Sequence, residues 1–241
     1  WDRYNAFVLE SGAPPLPDLE FIHESDDLNL YLYPGSADYP RTRPLASTWH
    51  RLESSVRETE EPFEVPASLR GGEGGLVYLS LGSLGSADVE LMRRLVDVLG
   101  RTSHRYIVSK GPRADEFELP DNMWGESRVP QTTIVPLVDL VITHGGNNTT
   151  TEALHFGKPM IVLPLFWDQY DNAQRVHELG FGVRLDTYAF EDSELQGTVD
   201  QLLADRALAD RMAAEGAKIR GDDGKAKAAD LIEALGRARR R

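Results

Sequence analysis

His144, Gly145, Gly146, Asn147 and Asn148, followed by Thr149, Thr150 and Thr151, stand in a row between a short apolar run and a helical pattern. Such a grouping suits an anion. A helix starting near Asn147 presents unpaired backbone N–H groups at its first turn. Asn148 and Thr149 can cap that turn or point outward, and Gly145 and Gly146 leave no side chain between backbone and ligand. The helix end alone contributes about 0.3–1 kcal/mol towards holding an anion, up to ~2 kcal/mol when partly buried. Aimed N–H groups and hydroxyls add charge-assisted hydrogen bonds. Several donors converging from different directions suit a phosphate better than a carboxylate. Plain N-capping would account for the asparagines and threonines, but not for a histidine and two glycines in front of them.

Two further stretches join this one. PLFWDQYDNAQRV, residues 164–176, follows the next apolar run, so Asp168 and Gln169 are expected on the same rim. An acid beside an amide supplies acceptors and donors together, as sugar hydroxyls require; capping of helix 169–179 by Asp168 is the competing reading. SLGSLGS, residues 80–86, forms a third polar loop. It lacks the glycine spacing of a dinucleotide fingerprint and the lysine of a phosphate loop, and an ordinary strand-to-helix turn would also explain it.

The elements that must position these loops are legible from residue 76 onward. Apolar runs at 76–80, 105–109, 139–143, 160–163 and 182–185 read as buried strands. Between them lie helical patterns: 89–99 with Gly100 as a stop, 147–156 closed by Gly157 and Pro159, and 169–180. Strands alternating with helices predict an α/β domain, a Rossmann-like parallel sheet with helices on both faces. In such sheets ligands lie beyond the carboxyl ends of the strands, where all three loops fall. From Asp192 onward two or three amphipathic helices form a helical tail. Ahead of the sheet, 28–33 reads as a strand, 34–45 as a loop, and 51–75 as a charged linker ending in a glycine hinge. Residues 1–65 are expected to be the end of an amino-terminal domain plus linker, and 66–241 the ligand-binding domain.

Composition narrows the function. The 241 residues carry a formal net charge of −13, which disfavours binding to nucleic acid. The basic run Arg237, Ala238, Arg239, Arg240, Arg241 suits a solvated helix end. The absence of cysteine excludes disulfides and thiolate metal sites. No targeting leader and no apolar run near the roughly 18 residues of a membrane helix is seen, so a cytoplasmic protein is expected.

HGGNNTTTEALHFGKPMIVLPLFWDQYDNAQRV, with VYLSLGS and VPQTTIVPLVDLVITHGG upstream, resembles the nucleotide-sugar signature of GT-B family 1, UDP-glycosyltransferase-like enzymes, as found in bacterial members. The resemblance implies a donor-binding carboxy-terminal domain facing a second Rossmann-like domain across a cleft. His144 would contact the diphosphate, Asn148 and Thr149 would hold it at the helix start, Gly146 would allow its approach, and Ser83 would lie near the phosphates. Glu152 would bind the ribose, and Asp168 and Gln169 the transferred sugar. Val129 would meet the base through its backbone, with Gln131 shaping the pocket. Arg128 stands where many members carry a stacking tryptophan; a guanidinium also stacks on a planar base. Thr149 replaces a commoner serine and keeps the hydroxyl.

The implied reaction moves a sugar from a UDP- or TDP-sugar to a hydroxyl of a small lipophilic acceptor with inversion. No metal or other cofactor is expected, because no carboxylate cluster with ligand spacing is evident. The family's catalytic base belongs to an amino-terminal segment outside this sequence, and neither His23 nor His50 matches its place. The alternatives are a non-catalytic nucleotide-sugar-binding module and a nucleotide-sugar epimerase on the same architecture. An NAD-dependent oxidoreductase would need a glycine fingerprint that is lacking.

Overall fold

The structure is a computed structural model that describes residues 1–58 and 61–239. The chain runs through α1 (Asp2–Glu10), β1 (Asn29–Leu32), β2 (Trp49–Leu52), β3 (Leu76–Ser80), α2 (Gly82–Gly85), α3 (Val89–Gly100), β4 (Arg105–Ser109), β5 (Met123–Glu126) and α4 (Gln131–Ile134). It continues through β6 (Leu140–Thr143), α5 (Asn147–His155), β7 (Met160–Val162), α6 (Asp168–Glu178), β8 (Gly182–Arg184), α7 (Asp192–Ala204), α8 (Arg206–Arg220) and α9 (Gly224–Ala238).

Strands β3 to β8 form one parallel sheet in the order β5-β4-β3-β6-β7-β8. The chain starts in the middle, at β3, builds outward through β4 and β5, then returns to the other side of β3 with β6. The loops after β3 and β6 therefore diverge to opposite faces and leave a crevice between them, the switch point at which such sheets bind ligands. Central strands β3 and β6 are buried along their whole length, as continuous apolar runs covered on both faces must be. Against them α3 packs Met92, Leu95 and Leu99, all with no exposed surface.

The expected strands are present, with ends shifted by a residue or so. Several elements differ from expectation. β5 escaped notice because it is a short edge strand with a glycine and only one buried residue, so it carries no apolar run. α1 was hidden by a polar, weakly amphipathic sequence. Arg51 and Leu52, assigned to the linker, belong to β2, which pairs in parallel with β1, Leu30 opposite His50. Gly100 is the last helical residue of α3 rather than a stop beyond it; Arg101 follows as the cap. Gly157 does close α5, at φ 67°, where a Cβ would stand 2.5 Å from the Met212 carbonyl oxygen of α8.

The stretch around β1 and β2 is held to the sheet domain by polar contacts. Arg175 of α6 donates to the Ala37 and Asp38 carbonyls at 2.9 and 2.8 Å, and Tyr39 Oη donates to the Asp171 carbonyl at 2.9 Å. Lys227 of α9 donates to the Arg51 carbonyl at 2.7 Å. The helical tail comprises three helices. Its basic end is partly paired, Arg237 with Glu233 and Arg239 with Asp27; Arg240 and Arg241 lie outside the described residues. Among the described residues no helix is long and apolar enough to cross a membrane.

Candidate functional site

The helices differ in how their amino ends are satisfied. Asp88, Asp205 and Asp223 cap α3, α8 and α9 through their side chains, and Glu191 with Glu194 forms a capping box on α7. α5 and α6, which start at the rim of the crevice, have no side-chain cap. At α5 the N-cap is Gly146, and Asn148 and Thr149 do not serve as caps. The first-turn N–H groups there are left for something else.

A cavity of about 1160 Å³ opens over that helix end. Ser83, Arg128, Val129, Gln131, His144, Gly146, Asn148, Thr149 and Glu152 all line it, so nine of the residues singled out by sequence share one space. Asn147, expected at the helix start, lines it too, as do Arg57, Glu61, Ser109, Gly111 and Ser127, which were not anticipated. Ser109 was findable, since it ends a recognised strand and so stands on the rim by rule. Arg57 was not, because it comes from the presumed linker.

One wall of the cavity is a hydrogen-bonded network. Tyr78 Oη donates to Gln131 Oε1 at 2.9 Å, and Gln131 Nε2 donates to Thr149 Oγ1 at 3.2 Å and to Glu152 Oε2. Thr149 and Glu152 are each 5% exposed. A buried carboxylate held in this way keeps a fixed acceptor at the cavity surface. Val129 is nearly buried, and its backbone N–H and C=O have no hydrogen-bond partner among the described residues.

His144 lies between two glycines. A Cβ on Gly146 would stand 2.4 Å from its Nε2, and one on Gly82 would stand 2.8 Å from its Cε1. The expectation that Gly146 clears a path for a ligand is therefore refined: its missing side chain first makes room for the imidazole. Gly145 departs further. It is buried at φ 84°, its N–H faces Thr143 Oγ1 at 3.3 Å and its carbonyl accepts from Asn172 Nδ2 at 2.8 Å. Both backbone groups point into the protein, so Gly145 shapes the turn and does not face the cavity.

The pair at the second rim is also divided. Asp168 is exposed and opens onto a neighbouring cavity of about 540 Å³, lined by Tyr31, Leu32, Tyr33, Asp38 and Tyr39 among others. It is the first residue of α6 and does not cap it; Trp167 occupies the cap position at φ 53°, a left-handed conformation costing of order 1–3 kcal/mol in a non-glycine residue. Gln169 is 4% exposed, and its Oε1 accepts from the Leu165 and Phe166 N–H groups at 2.9 and 3.1 Å. Its acceptor end is thus occupied by its own loop, and only the amide nitrogen is left to reach a ligand. His23 lies outside both cavities, its Nε2 2.8 Å from the Pro14 carbonyl, and His50 is in β2.

Burial holds the His144 pKa below its ordinary value, opposed by a hydrogen bond to the Ser80 carbonyl and by the charge of Asp168. The ring is accordingly neutral at pH 7. His155 is lowered too, by burial and by Arg220 and Lys225; its Nδ1 is 2.7 Å from Ser54 Oγ. The unfolded chain binds both protons near pH 6.5, whereas the folded chain binds them only at lower pH. Their effect is nil well above 6.5, and stability falls as pH drops through 6.5 towards the folded values. The melting midpoint is expected to decline between pH 7.5 and 5.5, and to decline less steeply in His155→Asn. Equal slopes in the two proteins would show that His155 does not contribute.

A parallel sheet in this strand order, carrying its polar rim at the switch point, defines a Rossmann-like ligand-binding domain. The chain belongs to the family described as erythromycin biosynthesis protein CIII-like, C-terminal domain, whose family model matches residues 93–224. It is 32% identical over 237 residues to the NDP-glycosyltransferase YjiC of Bacillus licheniformis, covering 95% of this chain and 58% of that protein. Among solved structures, the glycotransferase of kitacinnamycin superposes with a TM-score of 0.79 at 26% identity, over 97% of this chain and 61% of the other. Glycosyltransferase VinC in complex with dTDP shares the fold at a TM-score of 0.66 and 20% identity, over 87% of this chain and 52% of that one. The chain spans from 13% to 58% of the length of the curated relatives it matches.

Proposed function

We propose that the chain is the donor-binding part of an inverting glycosyltransferase that uses a UDP- or TDP-sugar. The observation that carries this reading is the uncapped amino end of α5 beneath a cavity that also holds His144. The diphosphate lies on the N–H groups of Gly146, Asn147 and Asn148; the ribose lies on Glu152; the base lies against Val129 and Arg128. As the glycosidic bond breaks, negative charge grows on the diphosphate, and fixed dipoles aimed at it lower the barrier without reorganising. The helix end does the work a bound cation would otherwise do, so this reading includes no metal. Names of relatives support it: an NDP-glycosyltransferase, and a fold neighbour seen with dTDP.

The second cavity is lined by Asp168 together with Tyr31, Leu32, Tyr33 and Tyr39, and also by the charged Asp38, Arg41 and Asp171. A lipophilic acceptor suits the tyrosines and the leucine, with its hydroxyl attacking from the face opposite the leaving group. Residues 1–65 then form the end of an acceptor domain, and the general base is supplied by sequence outside this chain. Because the chain covers only part of its relatives' length, it binds donor but does not turn it over alone.

Thermal unfolding with UDP, TDP and UDP-glucose tests the reading. At a hundred times its Kd a ligand adds about 2.7 kcal/mol, which raises the midpoint of a chain this size by roughly 5–10 °C. No shift with any of the three at millimolar concentration, confirmed by calorimetry, would refute it.

A further inference from the structure

The turn from β6 to α5 is anchored from behind. The Gly145 carbonyl accepts from Asn172 Nδ2 at 2.8 Å, and Asn172 Oδ1 accepts from Tyr33 Oη at 2.9 Å. Asn172 is only 6% exposed. A backbone carbonyl can only accept, so the amide nitrogen must face Gly145 and the amide oxygen must face Tyr33; chemistry leaves one orientation. Burial pushes the Tyr33 hydroxyl up to about 12, so it keeps the proton it donates.

The peptide joining Gly145 to Gly146 is trans. In a trans peptide the C=O and the next N–H point in opposite directions. Holding the Gly145 carbonyl towards Asn172, inside the protein, therefore turns the Gly146 N–H the other way, to the side on which Gly146 lines the 1160 Å³ cavity. We propose that Asn172, locked by Tyr33, is a positioning residue for the diphosphate: through the Gly145 carbonyl it fixes the peptide plane that aims the Gly146 N–H, and with it the start of α5, at the anion. This inference rests on the donor-binding reading above. It also gives a task to Tyr33, 139 residues away in sequence and outside the sheet domain.

Comparing nucleoside diphosphates with bare nucleosides isolates the effect. On the 241-residue chain, Kd values for UDP, TDP, uridine and thymidine are measured by calorimetry, with nucleosides taken to millimolar concentration. Asn172→Ala is expected to weaken UDP or TDP at least tenfold while the corresponding nucleoside stays within twofold. Tyr33→Phe, which removes one oxygen, is expected to weaken the diphosphate three- to fivefold with the same selectivity. A purely structural role would move nucleoside and diphosphate together, and that outcome, or an unchanged diphosphate Kd, overturns the proposal. If Asn172→Ala does not fold, Tyr33→Phe decides the matter alone. If the wild-type chain binds UDP and TDP no better than nucleosides, or not at all, the diphosphate site itself is refuted along with the proposal. Tight diphosphate binding that is indifferent to both variants refutes the positioning role only.

Discussion

His144→Ala is expected to cut sugar transfer on the order of a hundredfold, the scale of losing one preorganised donor at a site of developing negative charge. In the free protein the ring is neutral, because burial outweighs the Ser80 carbonyl and the Asp168 charge. A neutral imidazole keeps a lone pair on one of its ring nitrogens. A diphosphate beside that nitrogen favours the imidazolium, so binding takes up a proton and the affinity for UDP falls as pH is raised through the free ring's lowered pKa towards its value in the complex. The alanine variant should lose this pH dependence together with the rate. Two measurements check it: UDP calorimetry between pH 6 and 8 in buffers of different ionisation enthalpy, and turnover with the chain joined to its acceptor half. Wild-type turnover in the variant, or a proton uptake that survives the substitution, would remove His144 from the mechanism.

What could be read in the sequence followed from burial. Strands covered on both faces announce themselves as apolar runs, so β3, β4, β6 and β7 were legible, and with them the rim on which the three loops sit; β8, an edge strand with one buried residue, was legible only through the alternation of Val183 and Leu185. β5 and β2 were not, because partly exposed strands with mixed side chains leave no run to read. Residue types at the rim pointed to an anion, and nine of the twelve singled out do share the larger cavity. The other three show where composition stops short. Asp168 and Gln169 are adjacent, but at the start of a helix neighbours point about 100° apart, so one opens to a cavity and the other turns inward. Gly145 and Gly146 look interchangeable in sequence, yet one has φ 84° and the other −61°. Contributions from distant segments, such as Tyr33 and Arg57, depend on tertiary contacts that no local pattern records.

That difference between the two glycines makes Gly146→Ala a discriminating substitution. At φ −61° and ψ 143° alanine is conformationally at ease, so the change should not destabilise the backbone, and reduced freedom in the unfolded chain favours it by about 0.4–1 kcal/mol. Its methyl group, however, would lie 2.4 Å from His144 Nε2 and 2.8 Å from Cε1. The ring cannot retreat towards Gly82, whose own Cα approaches the far side so closely that a Cβ there would stand 2.8 Å from Cε1. The imidazole must leave its slot. The expected result is a chain that still folds, the gain from reduced unfolded-state freedom being offset by the displaced ring, with a UDP affinity about tenfold weaker, ~1.4 kcal/mol. A methyl group could also obstruct the diphosphate directly, and a double-mutant cycle separates the two causes. If the loss runs through the displaced histidine, adding Gly146→Ala to His144→Ala changes UDP affinity by less than twofold. Full additivity of the two losses would mean that the glycine serves the ligand's approach after all, and that the close fit of ring to backbone is incidental to binding.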